Sequence, residues 1–185
     1  MIPFYDIDSS WTLFLDRDGV INHQKENGYI NLPSEFEFYA GVKEAIEKFS
    51  RIFGRIIVIT NQRGVGKGIT SLENLERIHE HMKTEVENNG GKIHSIYFCP
   101  EINDDSPNRK PNTGMALQAQ SDFPEINFSK SIMIGNSASD IHFGKNIGAY
   151  TVYLTTTNPM LNDDTKRVTD LVCTSLLSFA NLLKP

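Results

Sequence analysis

The chain has 185 residues, 39% hydrophobic and 22% charged, with a formal net charge of −5. That length suits one domain, residues 1–185, with a single substantial core and no large separate lid. The acidic balance argues against general nucleic-acid binding, and no apolar run is long enough to cross a membrane. There is no cleavable leader pattern, and Cys99 and Cys173 make no disulfide framework, so a reduced cytoplasmic setting is expected.

The first element is the apolar strand run Leu13 to Leu15, which leads into Asp16-Arg17-Asp18-Gly19. Alternate residues of a strand share a side, so a strand continued through this stretch puts Asp16 and Asp18 over one small volume and turns Arg17 away. Two such charges repel unless a divalent cation sits between them or one acid keeps a proton. The pair therefore suits phosphoryl chemistry, with one carboxylate attacking phosphorus and the other moving the leaving-group proton.

Val42, Ile46 and Phe49 predict a helix, and Ile56 to Ile59 a second strand followed by Thr60-Asn61-Gln62. A hydroxyl and amides at a strand end can donate to phosphoryl oxygens. The next stretch, Arg63-Gly64-Val65-Gly66-Lys67-Gly68, lacks the spacing of a nucleotide P-loop. It is either a connection or a carrier of Arg63 and Lys67 toward a second anionic group. Leu72, Leu75, Ile78, His79 and Met82 then recur at helical spacing up to Asn88-Asn89-Gly90-Gly91. The histidines of His79-Glu80-His81 are two residues apart, too close for a metalloprotease pair, and read as helix-face residues.

Ile93 to Cys99 predicts the third strand. The basic pair Arg109-Lys110 stands before a helix over about Gly114 to Asp122, where a lysine can relieve repulsion between nucleophile and phosphate and an arginine can grip phosphate through two bonds. Ile132 to Ile134 runs into Gly135-Asn136 and a helix from Ser139 to Ile147 that carries Asp140. Thr151 to Leu154, a sixth candidate strand at Leu171 to Cys173, and a helix from Ser175 to Leu183 complete the chain. Strands alternating with helices predict an α/β fold, a Rossmann-like three-layer sandwich with a mostly parallel central sheet. Ligands bind beyond the carboxyl ends of such strands, which gathers Asp16, Thr60 and Asn136 at one edge.

Asp16-Arg17-Asp18-Gly19-Val20-Ile21-Asn22, with Gly28-Tyr29-Ile30, Thr60-Asn61-Gln62, Arg109-Lys110-Pro111 and Ile132 to Asp140, resembles the haloacid dehalogenase superfamily of phosphatases. Within it the chain is similar to the histidinol-phosphate and heptose-bisphosphate phosphatase branch, from about Leu13 to Leu154. The resemblance implies Asp16 as nucleophile, Asp18 as general acid and base, and Thr60 and Lys110 as phosphate contacts. It implies Asn61, Gln62, Arg63, Lys67 and Arg109 on the substrate, and magnesium held by Asp16, Asp18 and position 136. Many relatives have aspartate where this chain has Asn136, so the metal site would be one unit less negative, with Asp140 able to compensate directly or through water. A weakened sugar-phosphate binder and a phospho-aspartate switch are the competing readings. The branch also carries a zinc loop of four ligands, of which only Cys99 remains here, so no zinc is expected and the loop from Pro100 to Asn108 is held by Pro100 and Pro107. Without that loop the chain looks more like the heptose-bisphosphate members than the histidinol-phosphate ones. The expected partner is a small phosphorylated sugar, with no nucleic acid or membrane, and the protein is expected to be a monomer.

Overall fold

The computed structural model describes residues 2–26 and 28–183. Six strands form one sheet: β1 (Thr12–Leu15), β2 (Arg55–Asn61), β3 (Ser95–Cys99), β4 (Ser131–Gly135), β5 (Tyr150–Leu154) and β6 (Leu171–Cys173). Their spatial order is β3-β2-β1-β4-β5-β6, and every pairing is parallel. The chain winds outward from β1 in one direction and then returns to start β4 on its other side. That reversal opens a crevice between the carboxyl ends of β1 and β4, where doubly wound sheets bind ligands.

The strands are apolar on both faces because helices cover both. Leu13 and Leu15 of β1, Ile56 and Val58 of β2, and Ile132 and Ile134 of β4 enter one core. It is closed by α1 (Val42–Ser50), α3 (Leu72–Asn88) and α7 (Leu176–Ala180). The intervening Phe14, Ile57, Ile59 and Met133 enter the opposite core, against α4 (Gly114–Asp122) and α5 (Ala138–Asn146). A one-residue slip would exchange the two sets, so the packing fixes the register.

Several expected boundaries shift. Strand β2 includes Thr60 and Asn61 rather than ending before them, and α7 is shorter than the expected Ser175 to Leu183. The stretch expected as a glycine-rich loop forms a short helix, α2 (Arg63–Gly66). Leu72, expected on the apolar face of α3, is 49% exposed. An unexpected helix, α6 (Asp163–Val168), starts where the Asn162 side chain accepts a hydrogen bond from the Thr165 N–H. Its acids lie in the first turn and its bases in the last, which suits the helix dipole, and it buries only Thr165.

Candidate active site

Strand β1 ends at Leu15, and the Asp16 N–H adds one more ladder bond by donating to the Ile134 carbonyl at 3.0 Å. The chain then turns sharply. The Arg17 carbonyl accepts from the N–H groups of Val20, Ile21 and Asn22, and Gly19 has φ +87°. A side chain at Gly19 would also strike Asn136, whose amide nitrogen lies 2.1 Å from the position its Cβ would take. This turn sets Asp16 and Asp18 on one cavity of about 230 Å³, lined also by Tyr29, Thr60, Asn61, Gln62, Lys110, Asn136 and Asp140.

The expected direction of Arg17 is corrected. It does not turn away, because Asp16 to Asp18 are not strand residues and strand alternation does not govern them. The side chain folds back as a buried ion pair, with Nη2 2.8 Å and 2.7 Å from the two Asp18 oxygens. Asn22 Nδ2 donates to Asp18 Oδ1 at 3.0 Å, and Gln62 Nε2 to Asp18 Oδ2 at 2.9 Å. Burial pushes the Asp18 carboxyl up, but Arg17 and these amide donors outweigh it and hold the group below the usual carboxylate range.

Opposite Asp18, the buried Lys110 ammonium donates to Asp16 Oδ1 at 2.8 Å, Asp140 Oδ1 at 2.6 Å and the Ile59 carbonyl at 2.8 Å. Burial alone would lower Lys110, but the Asp140 and Asp16 carboxylates overcome it and raise the group. Burial, followed by the charge of Asp140, pushes Asp16 up to about 7 against the pull of Lys110. The other Asp140 oxygen accepts from the N–H groups of Asn136 and Ser137 and from the Ser137 hydroxyl, closing the capping box of α5. Both Asp140 oxygens thus accept hydrogen bonds within the protein. Gly135 is required beside it, since a Cβ there would lie 2.0 Å from that of Asp140.

Asn136 donates from Nδ2 to Thr157 Oγ1 at 2.7 Å, while its buried Oδ1 has no hydrogen-bond partner. An orphaned amide oxygen on a residue that shares a cavity with an under-neutralised carboxylate is suited to a hard cation. Among the described residues no three His, Cys, Asp or Glu side chains form a metal cluster.

The remaining expected site residues divide. Thr60 faces the cavity and accepts from Gln62 Nε2 at 2.9 Å, which leaves its hydroxyl proton available. Asn61 lines the cavity, but both ends of its amide bond the Lys110 backbone, at 3.2 Å and 3.0 Å, so it fixes the lysine loop. Arg63, Lys67 and Arg109 do not line the cavity. Arg63 and Arg109 converge instead on the exposed carboxylate of Asp104, and Lys67 lies over the Tyr29 ring. The Cys99 thiol donates to Glu101 at 2.7 Å, and burial raises its pKa. His79, read from the sequence as a helix-face residue, is buried with Nε2 3.0 Å from Arg17 Nη1. Its place among the apolar positions of α3 signalled burial, and nothing in the sequence signalled its partner.

A parallel sheet whose switch-point crevice holds Asp16 and Asp18, Thr60 and Lys110 defines a haloacid dehalogenase-like phosphatase. Residues 1–175 match the family model described as polynucleotide kinase 3 phosphatase, and the chain belongs to this family of haloacid dehalogenase-like phosphatases. It is 37% identical to a D-glycero-alpha-D-manno-heptose-1,7-bisphosphate 7-phosphatase of Burkholderia mallei, covering 77% of this chain and 78% of the relative. The corresponding alpha enzyme of Mycobacterium tuberculosis is 35% identical over 75% of this chain and 74% of its own. A D-glycero-beta-D-manno-heptose-1,7-bisphosphate 7-phosphatase of Vibrio cholerae is 31% identical over 89% and 91%. The crystal structure of the D,D-heptose 1,7-bisphosphate phosphatase of B. bronchiseptica, complexed with magnesium and phosphate, superposes with TM-score 0.81 at 25% identity, covering 92% of this chain and 96% of that one.

Proposed function

We propose that the protein is a magnesium-dependent D-glycero-D-manno-heptose 1,7-bisphosphate 7-phosphatase working through an aspartyl phosphate. The observation that carries the reading is the Asp16 carboxylate at the switch point, bonded to buried Lys110, with Asp18 on the same cavity. In the first step Asp16 attacks phosphorus and the bond to the sugar oxygen breaks; Asp18, a carboxylate in the free protein, takes the proton of the bound phosphate monoanion and passes it to the departing oxygen. In the second, Asp18 takes a proton from water as the water oxygen attacks phosphorus. The bond to Asp16 then breaks and inorganic phosphate leaves. The Thr60 hydroxyl and the Lys110 ammonium stabilise the charge that builds on the phosphoryl oxygens.

Magnesium would be held by Asp16, the main-chain oxygen of Asp18 and the orphaned Asn136 Oδ1, with waters completing the shell. Bound there, it neutralises charge on the nucleophile and the phosphoryl group. Asp140 serves this site through Lys110, which it holds against Asp16. The net charge of −5 supports a small phosphorylated sugar over a polynucleotide as substrate.

The test is phosphate release from both anomers of heptose 1,7-bisphosphate, histidinol phosphate and fructose 1,6-bisphosphate, with magnesium and with chelator. One heptose anomer should exceed the other substrates by orders of magnitude, and chelator should stop its hydrolysis. Preference for histidinol phosphate would overturn the substrate, and undiminished turnover in chelator would overturn the metal.

A further inference from the structure

Every side-chain donor group of Arg17 has a defined target. Nε and Nη2 reach the Asp18 carboxylate, at 3.2 Å from Nε and 2.8 Å and 2.7 Å from Nη2, while Nη1 meets His79 Nε2 at 3.0 Å. Arginine offers only donors and keeps its charge. His79 Nε2 must therefore present a lone pair, which places the ring proton on Nδ1. Burial, and then the Arg17 charge, push His79 down to about 3, so the ring stays neutral and the acceptor persists at physiological pH. The imidazole is buried on α3 and packs against Phe98 with ring centroids 5.9 Å apart.

The carboxylate held this way is not a sealed structural ion pair. Asp18 keeps 27% of its side chain exposed, on the cavity, while Arg17 keeps 1%. Gln62 links it to the Thr60 hydroxyl, so its position is tied to the phosphate-facing side of the site.

We propose that His79 and Arg17 are positioning residues for Asp18: the neutral imidazole clamps one arm of the guanidinium so that the rest of the fork holds the carboxylate at the cavity. The role of Asp18 rests on the phosphatase reading above. The clamp then matters most where a proton must reach the leaving oxygen. A sugar alkoxide needs that proton as its bond to phosphorus breaks, whereas p-nitrophenolate leaves without it.

The experiment compares kcat/KM for heptose 1,7-bisphosphate, an alkyl phosphate, supplied as both anomers, and for p-nitrophenyl phosphate in wild type, His79→Leu and His79→Gln. His79→Leu should lose roughly tenfold or more on the alkyl ester and less than about threefold on the aryl ester, with KM little changed. His79→Gln, whose amide oxygen can accept from Arg17, should recover most of the loss. Equal losses on both esters, or no recovery with glutamine, overturn the proposal while leaving the phosphatase reading intact. Wild type that hydrolyses neither ester sinks the phosphatase reading and the proposal with it. Nitrogen NMR of the wild-type histidine rings gives a readout independent of turnover and of how the variants fold. The clamp requires a His79 proton on Nδ1, and a proton on Nε2 overturns it.

Discussion

Lys110 and Arg17 are both buried cations beside the cavity, but Lys110 serves two carboxylates, Asp16 and Asp140, whereas Arg17 serves Asp18 and a neutral imidazole. The first cluster is short of positive charge, and Asp16 rises to about 7. The second is balanced, and Asp18 is held low. The same residue type thus meets opposite electrostatic conditions across one small space. The deficient side is the one that suits a divalent cation, and Asn136, with its orphaned oxygen, lines the same cavity.

The sharpest test of this asymmetry is Asp16→Asn, which should abolish turnover with the fold kept, as read by phosphate release and circular dichroism. Retention of more than about a tenth of wild-type kcat would remove Asp16 as the nucleophile. Lys110→Met should lower kcat by about 10²-fold or more, and leaving two buried carboxylates unpaired should cost about 3–5 kcal/mol in urea unfolding. Arg17→Met should cost less stability, because Asp18 retains Asn22, Gln62 and access to water. Equal costs for the two would mean that the clusters are not different in kind.

His79 adds a pH test of the balanced side. Its folded pKa, about 3, lies below the usual 6.5, so between those values the unfolded chain binds more protons. The stability it confers is complete above about pH 6.5 and is lost as pH falls toward 3, amounting to about 3 kcal/mol by pH 4. Unfolding of wild type and His79→Gln at pH 7 and pH 4 should show this difference. The smallest effect is expected from Asn136→Asp, which deepens the deficit on the Asp16 side. In chelator its Tm should fall by about 2–4 °C, and calorimetry should show tighter magnesium binding than wild type. Unchanged magnesium affinity would remove position 136 from the metal shell.

Much of this arrangement is legible in the sequence where apolar pattern and chemistry coincide. Leu13 to Leu15, Ile56 to Ile59 and Ile132 to Ile134 have no polar interruption, so they mark the central strands, and the polar residues at their ends mark the cavity. What is not legible depends on where a side chain goes after the backbone turns. The direction of Arg17 is set by His79, a partner on α3 far along the chain, and no spacing rule connects them. Nor does the sequence show that the Asp140 oxygens meet a helix cap and Lys110. Helix α6 was missed because it buries almost nothing and carries no apolar stripe.

The placement of β1 at the centre of the sheet has a consequence for biosynthesis. Its two neighbours are β2 and β4, and β4 is made late, with Thr12 beside Ser131 and Leu15 beside Ile134. A ribosome that has released β1 and the Asp16 that follows it has yet to make Lys110, Asn136 and Asp140. Asp16 is therefore among the first parts of the site to emerge and must wait for residues far downstream. Non-local parallel pairing of this kind is slow to close. A nascent chain stopped before β4 would leave one edge of β1 unpaired and have no switch-point crevice.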